Sequence, residues 1–273
     1  MIRPLVKKVI YPMIKSRPDF LIIGAQKAGT TSLYRYLSQH PQILENNTWK
    51  EIRYFDLPEN YSQGLGWYLG HFPYKFRKGN KLTCDASPSY LYFPHIPKLI
   101  KQDLGNIKMI AVLREPVSRA YSAWQMYHSF SDNPNENLKA IADERSFAEA
   151  IEQELNPASN TAKYPYDYIG RGKYVEQLEN YYNYFDRDHI LVLNVDRFRE
   201  DLGTALNYVC DFLNIETFSK NEIDNFNNQK HNAGKYKFIK TPEDQDKMKF
   251  LKSYFSPFNE RLYTLLGTRY NWQ

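Results

Sequence analysis

Residues 19–32 read DFLIIGAQKAGTTS, and this stretch decides how the rest of the chain is to be read. Phe20-Leu21-Ile22-Ile23 is a short, wholly apolar run, the pattern of a parallel strand buried on both faces. It breaks at Gly24. After Thr30-Thr31-Ser32, Leu33, Tyr34, Tyr36 and Leu37 resume at helical spacing. Strand, glycine turn and helix start together make an anion cradle, because backbone N–H groups and the positive end of the helix dipole point the same way. Gly24 and Gly29 have the spacing of a nucleotide P-loop, in which a lysine directly precedes the Ser/Thr. Here Thr30 holds that place and the lysine is Lys27, inside the loop. The displaced lysine predicts a phosphate ligand other than Mg-ATP.

Outward from this loop, three further apolar runs read as strands: Lys81–Asp85, Lys108–Leu113 and Ile190–Val195. Helical spacing covers 31–39, 95–103, 116–129, 146–155, 171–184, 202–213 and 243–266. Alternating strands and helices predict an α/β fold with a central parallel sheet covered on both faces. Ligands of such sheets bind at the carboxyl ends of the strands. Asn and Asp concentrate at 131–137 and 219–234, which predicts surface loops.

Composition narrows the classes. The chain has 273 residues, a net charge of +5 and only two cysteines, Cys84 and Cys210. The mild basicity fits an anionic ligand. The cysteines form no CxxC pair and the six histidines do not cluster with them, so neither a zinc site nor a disulfide scaffold is expected. No apolar run reaches membrane-spanning length. Residues 1–18 are basic, carry Pro4 and Pro12, and lack the apolar core and cleavage site of a signal peptide. We read them as a leader, packed or disordered, or as a basic arm touching an anionic membrane surface, ahead of a single domain over 19–273. A cytoplasmic location is expected. The 23 tyrosines and 16 phenylalanines are read mainly as core, with surplus tyrosines available to line an acceptor groove.

Two more places carry chemistry. The third strand ends in Arg114, and Ser122 follows about two helical turns later. Arg114 reads either as a bidentate phosphate ligand or as one half of a helix-capping salt bridge. A nucleotide enzyme of the Walker type would end that strand in Asp to hold Mg²⁺. Between the first two strands, Lys50, Glu51, Arg53 and Asp56 sit among aromatics. Glu51 reads as a general base if partly buried near an acceptor hydroxyl, or as part of a solvated charge run.

The ordered motifs GAQKAGTTSLYRYLSQHP, KEIRYFD, GLGWYLGHFP, ASPSYLY and LREPVSRAYSAW, with the C-terminal FNERLYTLLGTRYNW, resemble the sulfotransferases that use 3′-phosphoadenosine 5′-phosphosulfate (PAPS). The branch they are most similar to is that of the heparan sulfate sulfotransferases and their bacterial relatives. The resemblance implies a P-loop-like three-layer αβα sandwich. It implies that Gln26, Lys27, Ala28, Gly29, Thr30 and Thr31 contact the 5′-phosphosulfate, with Lys27 as the key cation. Arg114 and Ser122 match the pair that holds the 3′-phosphate, and Gly234 and Lys235 match a late nucleotide-contacting segment. Glu51 matches the catalytic base, with Lys50, Arg53 and Asp56 on the acceptor side. No metal and no nucleic acid are implied.

Three departures fall mostly on the acceptor side: Arg53 where those enzymes usually carry histidine, Ala86 where they carry lysine, and no cysteine for a disulfide near the C-terminal loop. The acceptor is expected to be a glycan, with a lipid or a small hydroxylated metabolite as alternatives. The competing readings are a catalytically inactive nucleotide- or glycan-binding domain and a P-loop kinase.

Overall fold

The computed structural model describes residues 4–46, 50–156, 165–228 and 238–272. Two compact units are formed, one by Met1–Leu113 with Gln177–His231, the other by Arg114–Glu176 with Asn232–Gln273.

The first unit holds the sheet. Its strands are β1 (Phe20–Gly24), β2 (Cys84–Asp85), β3 (Lys108–Leu113) and β4 (Ile190–Asn194), all parallel, in the order β2-β1-β3-β4. Residues of β1 are buried without exception, which is why its sequence runs apolar instead of alternating. Phe20 and Ile22, with Ile110 and Val112 of β3, pack under the helices Thr30–Leu37 and Leu202–Leu213. Leu21, Ile23, Met109 and Ala111 point to the opposite face and are equally buried. The expected layered α/β sandwich is therefore present. β1 has β2 on one side and β3 on the other, so the topological switch, where such sheets bind ligands, lies at the carboxyl ends of β1 and β3.

Two expectations need correction in this unit, and a third observation adds to the reading of the leader. The second strand is two residues long, not five, although Leu82 still makes a bridge to Ile43. The Asn-rich region expected as loop contains the helix Lys220–Asn228. Ser219 and Glu222 cap it reciprocally, and Phe226 is buried against Phe218 and Tyr36. One buried aromatic, with Ile223 packed against the same core, is enough to dock it. Finally, residues Pro4–Ile14 form a helix despite both prolines. Pro4 occupies the first helical position, where no N–H is needed.

The second unit packs three helices, Pro116–His128, Phe147–Leu155 and Pro242–Leu266, around an aromatic core that includes Tyr121, Trp124, Phe147, Tyr168 and Phe255. The Arg119 guanidinium is fully buried there and donates to the Tyr168 carbonyl. Across both units part of the tyrosine content is core: Tyr54, Tyr68, Tyr90, Tyr168, Tyr174 and Tyr181 are all essentially inaccessible.

Candidate active site

The loop after β1 is fixed by its backbone. The Leu91 N–H donates to the Ile23 carbonyl at 2.8 Å, and the Ala25 N–H to the Val112 carbonyl at 2.7 Å. A Cβ on Gly24 would stand 2.6 Å from Leu91 Cβ, so only glycine lets the Ser87–Leu91 segment pass. Lys27 takes a left-handed conformation, φ 67°. Gly29 follows at φ 95°, where an added Cβ would meet Val195 Cγ2 at 3.0 Å. Both glycines thus let neighbouring residues approach the two ends of the loop closely.

Gly29 is also the N-cap of the helix Thr30–Leu37, which has no side-chain cap. Four longer helices carry such a cap: Glu115, Ser146, Asp201 and Thr241. A side-chain oxygen at Gly29 would compete for the first-turn N–H groups that an external anion needs. Half-buried Lys27 adds a cation on the same loop. The sequence expectation for Gln26 through Thr31 thus falls on a loop that opens on a helix start without a side-chain cap.

The segment carrying Glu51 is held from β2. Asp85, fully buried, accepts from the Ser87 hydroxyl at 2.8 Å, the Tyr90 hydroxyl at 2.7 Å and the Tyr68 hydroxyl at 3.3 Å. Three consecutive amides lead into this hub. The Ile52 N–H donates to Asp85 at 3.4 Å, the Arg53 N–H to Ser87 Oγ at 3.1 Å and the Tyr54 N–H to Tyr90 OH at 2.9 Å. Arg53 sits at φ 56°, a strained position for a long side chain, and Asn60 Nδ2 clamps it further by donating to the Ile52 and Arg53 carbonyls. Ser87–Leu91 therefore touches both the Glu51 segment, through Ser87 and Tyr90, and the phosphate cradle, through Leu91.

Arg53 donates from Nε and Nη2 to one oxygen of Asp56, at 3.0 and 2.8 Å. Asp56 is buried, and desolvation pushes its pKa up despite Arg53. Glu51 itself is exposed, its side chain 43% accessible, and pairs with Lys50 at 3.0 Å. Its burial is incomplete; the fully buried carboxylates of this region are Asp56 and Asp85.

In the second unit, Arg114 directly follows β3, and its carbonyl accepts from the buried Tyr174 hydroxyl at 2.9 Å. The helix cap is Glu115, whose carboxylate accepts from the Val117 and Ser118 amides at 2.9 and 2.6 Å. Ser122 is half-buried within that helix. Gly234 and Lys235 lie outside the described residues. Among the described residues, the cluster Asp186, Asp188 and His189 is tight enough for a cation. It precedes β4 at the opposite end of the sheet from the cradle, and we give it no role.

Sequence reasoning missed Asp85, Ser87 and Tyr90 as the support of the Glu51 segment. The available signal was an acid ending a strand in a parallel sheet, where chemistry gathers. Burial raises the Asp85 pKa to about 6, with the Tyr90 and Ser87 hydrogen bonds opposing the rise. A carboxyl raised in this way binds its proton in the native state before the unfolded state does. Its contribution to stability therefore grows as pH falls from about 7 toward 4 and is lost as pH rises through 6. The displacement from 3.8 is worth about 3 kcal/mol between the two protonation states. For Asp85→Asn we expect the melting-temperature gap between wild type and variant to shift in favour of wild type on acidification over that window. A gap independent of pH in thermal melts would show that Asp85 does not titrate there.

A family model described as a sulfotransferase domain matches residues 17–254. Human bifunctional heparan sulfate N-deacetylase/N-sulfotransferase 3 is 29% identical over 267 residues, covering 91% of this chain and 30% of its own length. Mouse heparan sulfate glucosamine 3-O-sulfotransferase 5 is 24% identical over 276 residues, covering 96% of this chain and 76% of its own length. The chain thus spans under a third of the first relative. Among solved structures, a sulfotransferase from Alicyclobacillus acidocaldarius is similar with a TM-score of 0.71 at 25% identity, over 93% of this chain and 98% of that one. Mouse sulfotransferase SULT7A1 complexed with PAP shares the fold, with a TM-score of 0.53 at 15% identity over 89% of this chain and 86% of that one.

Proposed function

The chain belongs to the sulfotransferase family, and from that premise we propose that it transfers a sulfuryl group from PAPS to a hydroxyl or amine of a carbohydrate. The observation that carries the reading is the glycine-flanked loop from Gly24 to Gly29 with Lys27 inside it, opening on a helix start that no side chain caps. PAPS supplies a sulfuryl group already activated on a phosphate leaving group. The protein has three tasks: to hold that phosphate, to steady the charge it gains, and to take a proton from the acceptor.

Lys27 and the amides of Gly29, Thr30 and Thr31 bind the 5′-side phosphate oxygens, with Gln26 and Ala28 shaping the loop. Arg114 and Ser122 take the 3′-phosphate, with Gly234 and Lys235 as further nucleotide contacts. Glu51 accepts the acceptor proton. Lys50 orients Glu51 through their ion pair. Arg53, locked to Asp56, presents a fixed cation toward the acceptor. A glycan acceptor is supported by the heparan sulfate enzymes among the relatives. We place the protein in the cytoplasm, where two free, buried cysteines stay reduced.

The test is transfer of labelled sulfate from PAPS to a panel of desulfated heparan-type oligosaccharides, hydroxylated lipids and small phenols. Labelled oligosaccharide supports the proposal. Labelling confined to lipids or phenols would replace the acceptor class, and no labelling with bound nucleotide would leave a binding domain.

Arg114 gives a separate expectation. Arg114→Ala should weaken 3′-phosphoadenosine 5′-phosphate at least tenfold while leaving adenosine 5′-phosphate nearly unchanged, because only the former carries the 3′-phosphate. Calorimetric titration with both nucleotides decides it. Equal losses would remove Arg114 from the 3′ end.

A further inference from the structure

The first unit carries an exposed apolar surface that the proposed chemistry does not use. The helix Pro4–Ile14 turns Tyr11 inward, its ring filling the space above Gly70. Val9, Ile10, Met13 and Ile14 face outward instead, at 62, 40, 69 and 39% exposure. Positions 9, 10, 13 and 14 fall on one side of a helix, so these residues form a continuous apolar face.

This helix is laced to a second segment. Lys15 pairs with Tyr74 as an antiparallel bridge, and its ammonium donates to the Phe72 carbonyl at 2.8 Å while lying 4.1 Å from the Tyr74 ring centre. The Ser16 amide and hydroxyl both donate to the Pro73 carbonyl. Beyond this seam, Tyr74 and Phe76 stack on each other, and Phe76 is 85% exposed.

The two stretches that carry these residues are basic in sequence. Residues 1–18 contain five Lys or Arg and residues 60–84 contain four, and neither stretch contains an Asp or Glu. Of these cations, Lys75, Arg77 and Lys81 are exposed. Lys78 is paired with Asp19.

We propose that this face, Val9, Ile10, Met13 and Ile14 with Tyr74 and Phe76, seats the protein on an anionic lipid surface. Apolar side chains standing among cations match a bilayer interface: the former enter the acyl boundary and the latter meet the phosphate headgroups. A polyanionic glycan would meet the cations but would leave Met13 and Phe76 in water. No helix among the described residues is long and apolar enough to cross a membrane, so the attachment lies on the surface.

The experiment is co-sedimentation of the full chain with vesicles of phosphatidylcholine alone and of phosphatidylcholine with one third phosphatidylglycerol, at low and high salt. We expect binding to the anionic vesicles only, weakened by salt. Met13→Glu and Phe76→Glu should each lower the partition coefficient at least tenfold, with thermal melts and binding of 3′-phosphoadenosine 5′-phosphate unchanged. Should either variant unfold, Arg77→Glu, on an exposed side chain, tests the electrostatic half alone with the same expected direction. Equal binding to both vesicles, no binding, or variants that bind like wild type would overturn the proposal. So would light scattering that shows a dimer which Met13→Glu dissociates, because the face would then belong to a second copy. None of these readouts depends on sulfuryl transfer, so the acceptor proposal stands or falls separately.

Discussion

Replacing Lys27 with alanine is expected to lower turnover by about 10²–10³ while the protein stays folded. The loss follows from where charge grows. As the sulfuryl group leaves, negative charge returns to the 5′-phosphate, and a fixed cation in a partly dry loop stabilises it far better than water does. Folding is insulated because backbone groups define the loop. The Ala25 N–H to Val112 carbonyl and Ala28 N–H to Ala25 carbonyl bonds do not involve the Lys27 side chain. The left-handed backbone at position 27 is also no more strained with alanine than with lysine. Lys27→Arg should recover only part of the rate, since a planar fork does not replace a compact ammonium in a closed loop. Initial rates with saturating donor, read beside thermal melts, decide the matter. A variant that turns over near normally would take Lys27 out of the mechanism.

Much of this fold was legible because a few local patterns carry it. Phe20–Ile23 had to be a strand buried on both faces, since nothing else accommodates an apolar run of that length before a glycine turn. Gly24 and Gly29 were legible as a loop signature, but their physical necessity was not. Leu91 packs against Gly24 from 67 residues away, and Val195 against Gly29 from 166. The shrinking of β2 to Cys84–Asp85 was hidden for a similar reason: Leu82 exchanges its backbone hydrogen bonds with Gln42 and Leu44 instead of with β1, a tertiary event with no local signal. The helix at 220–228 was masked by its polar composition, although the Ser219–Glu222 cap was in plain sight. At the site, residue types singled out Lys27, Glu51 and Arg114 as candidates. Asp85 was marked locally only as an acid ending a strand; its support of the Ile52–Tyr54 amides, directly and through Ser87 and Tyr90, was hidden because these partners are assembled by tertiary packing.

That organisation bears on the second large effect. Glu51→Gln is expected to lower turnover by about 10²–10⁴, the range for losing a general base, with affinity for 3′-phosphoadenosine 5′-phosphate unchanged. Glutamine keeps the shape of the side chain and cannot accept the proton. Stability should hardly change, because among the described residues the ion pair lost is that with Lys50 on a half-exposed glutamate, and such pairs contribute little. Position should not change either. The amides of Ile52, Arg53 and Tyr54 are held by Asp85, Ser87 and Tyr90, none of which contacts the Glu51 side chain in this network. Asp56 is the nearby alternative base, and its placement argues against it: its side chain is wholly buried and its Oδ2 is occupied by Arg53. Glu51 is the carboxylate of this segment that faces solvent, so it alone can meet an incoming hydroxyl or amine. Single-turnover rates with preformed donor complex separate chemistry from binding. Weakened nucleotide binding with intact chemistry would move Glu51 to the donor side, and an unchanged rate would require a base from outside the Lys50–Asp56 segment.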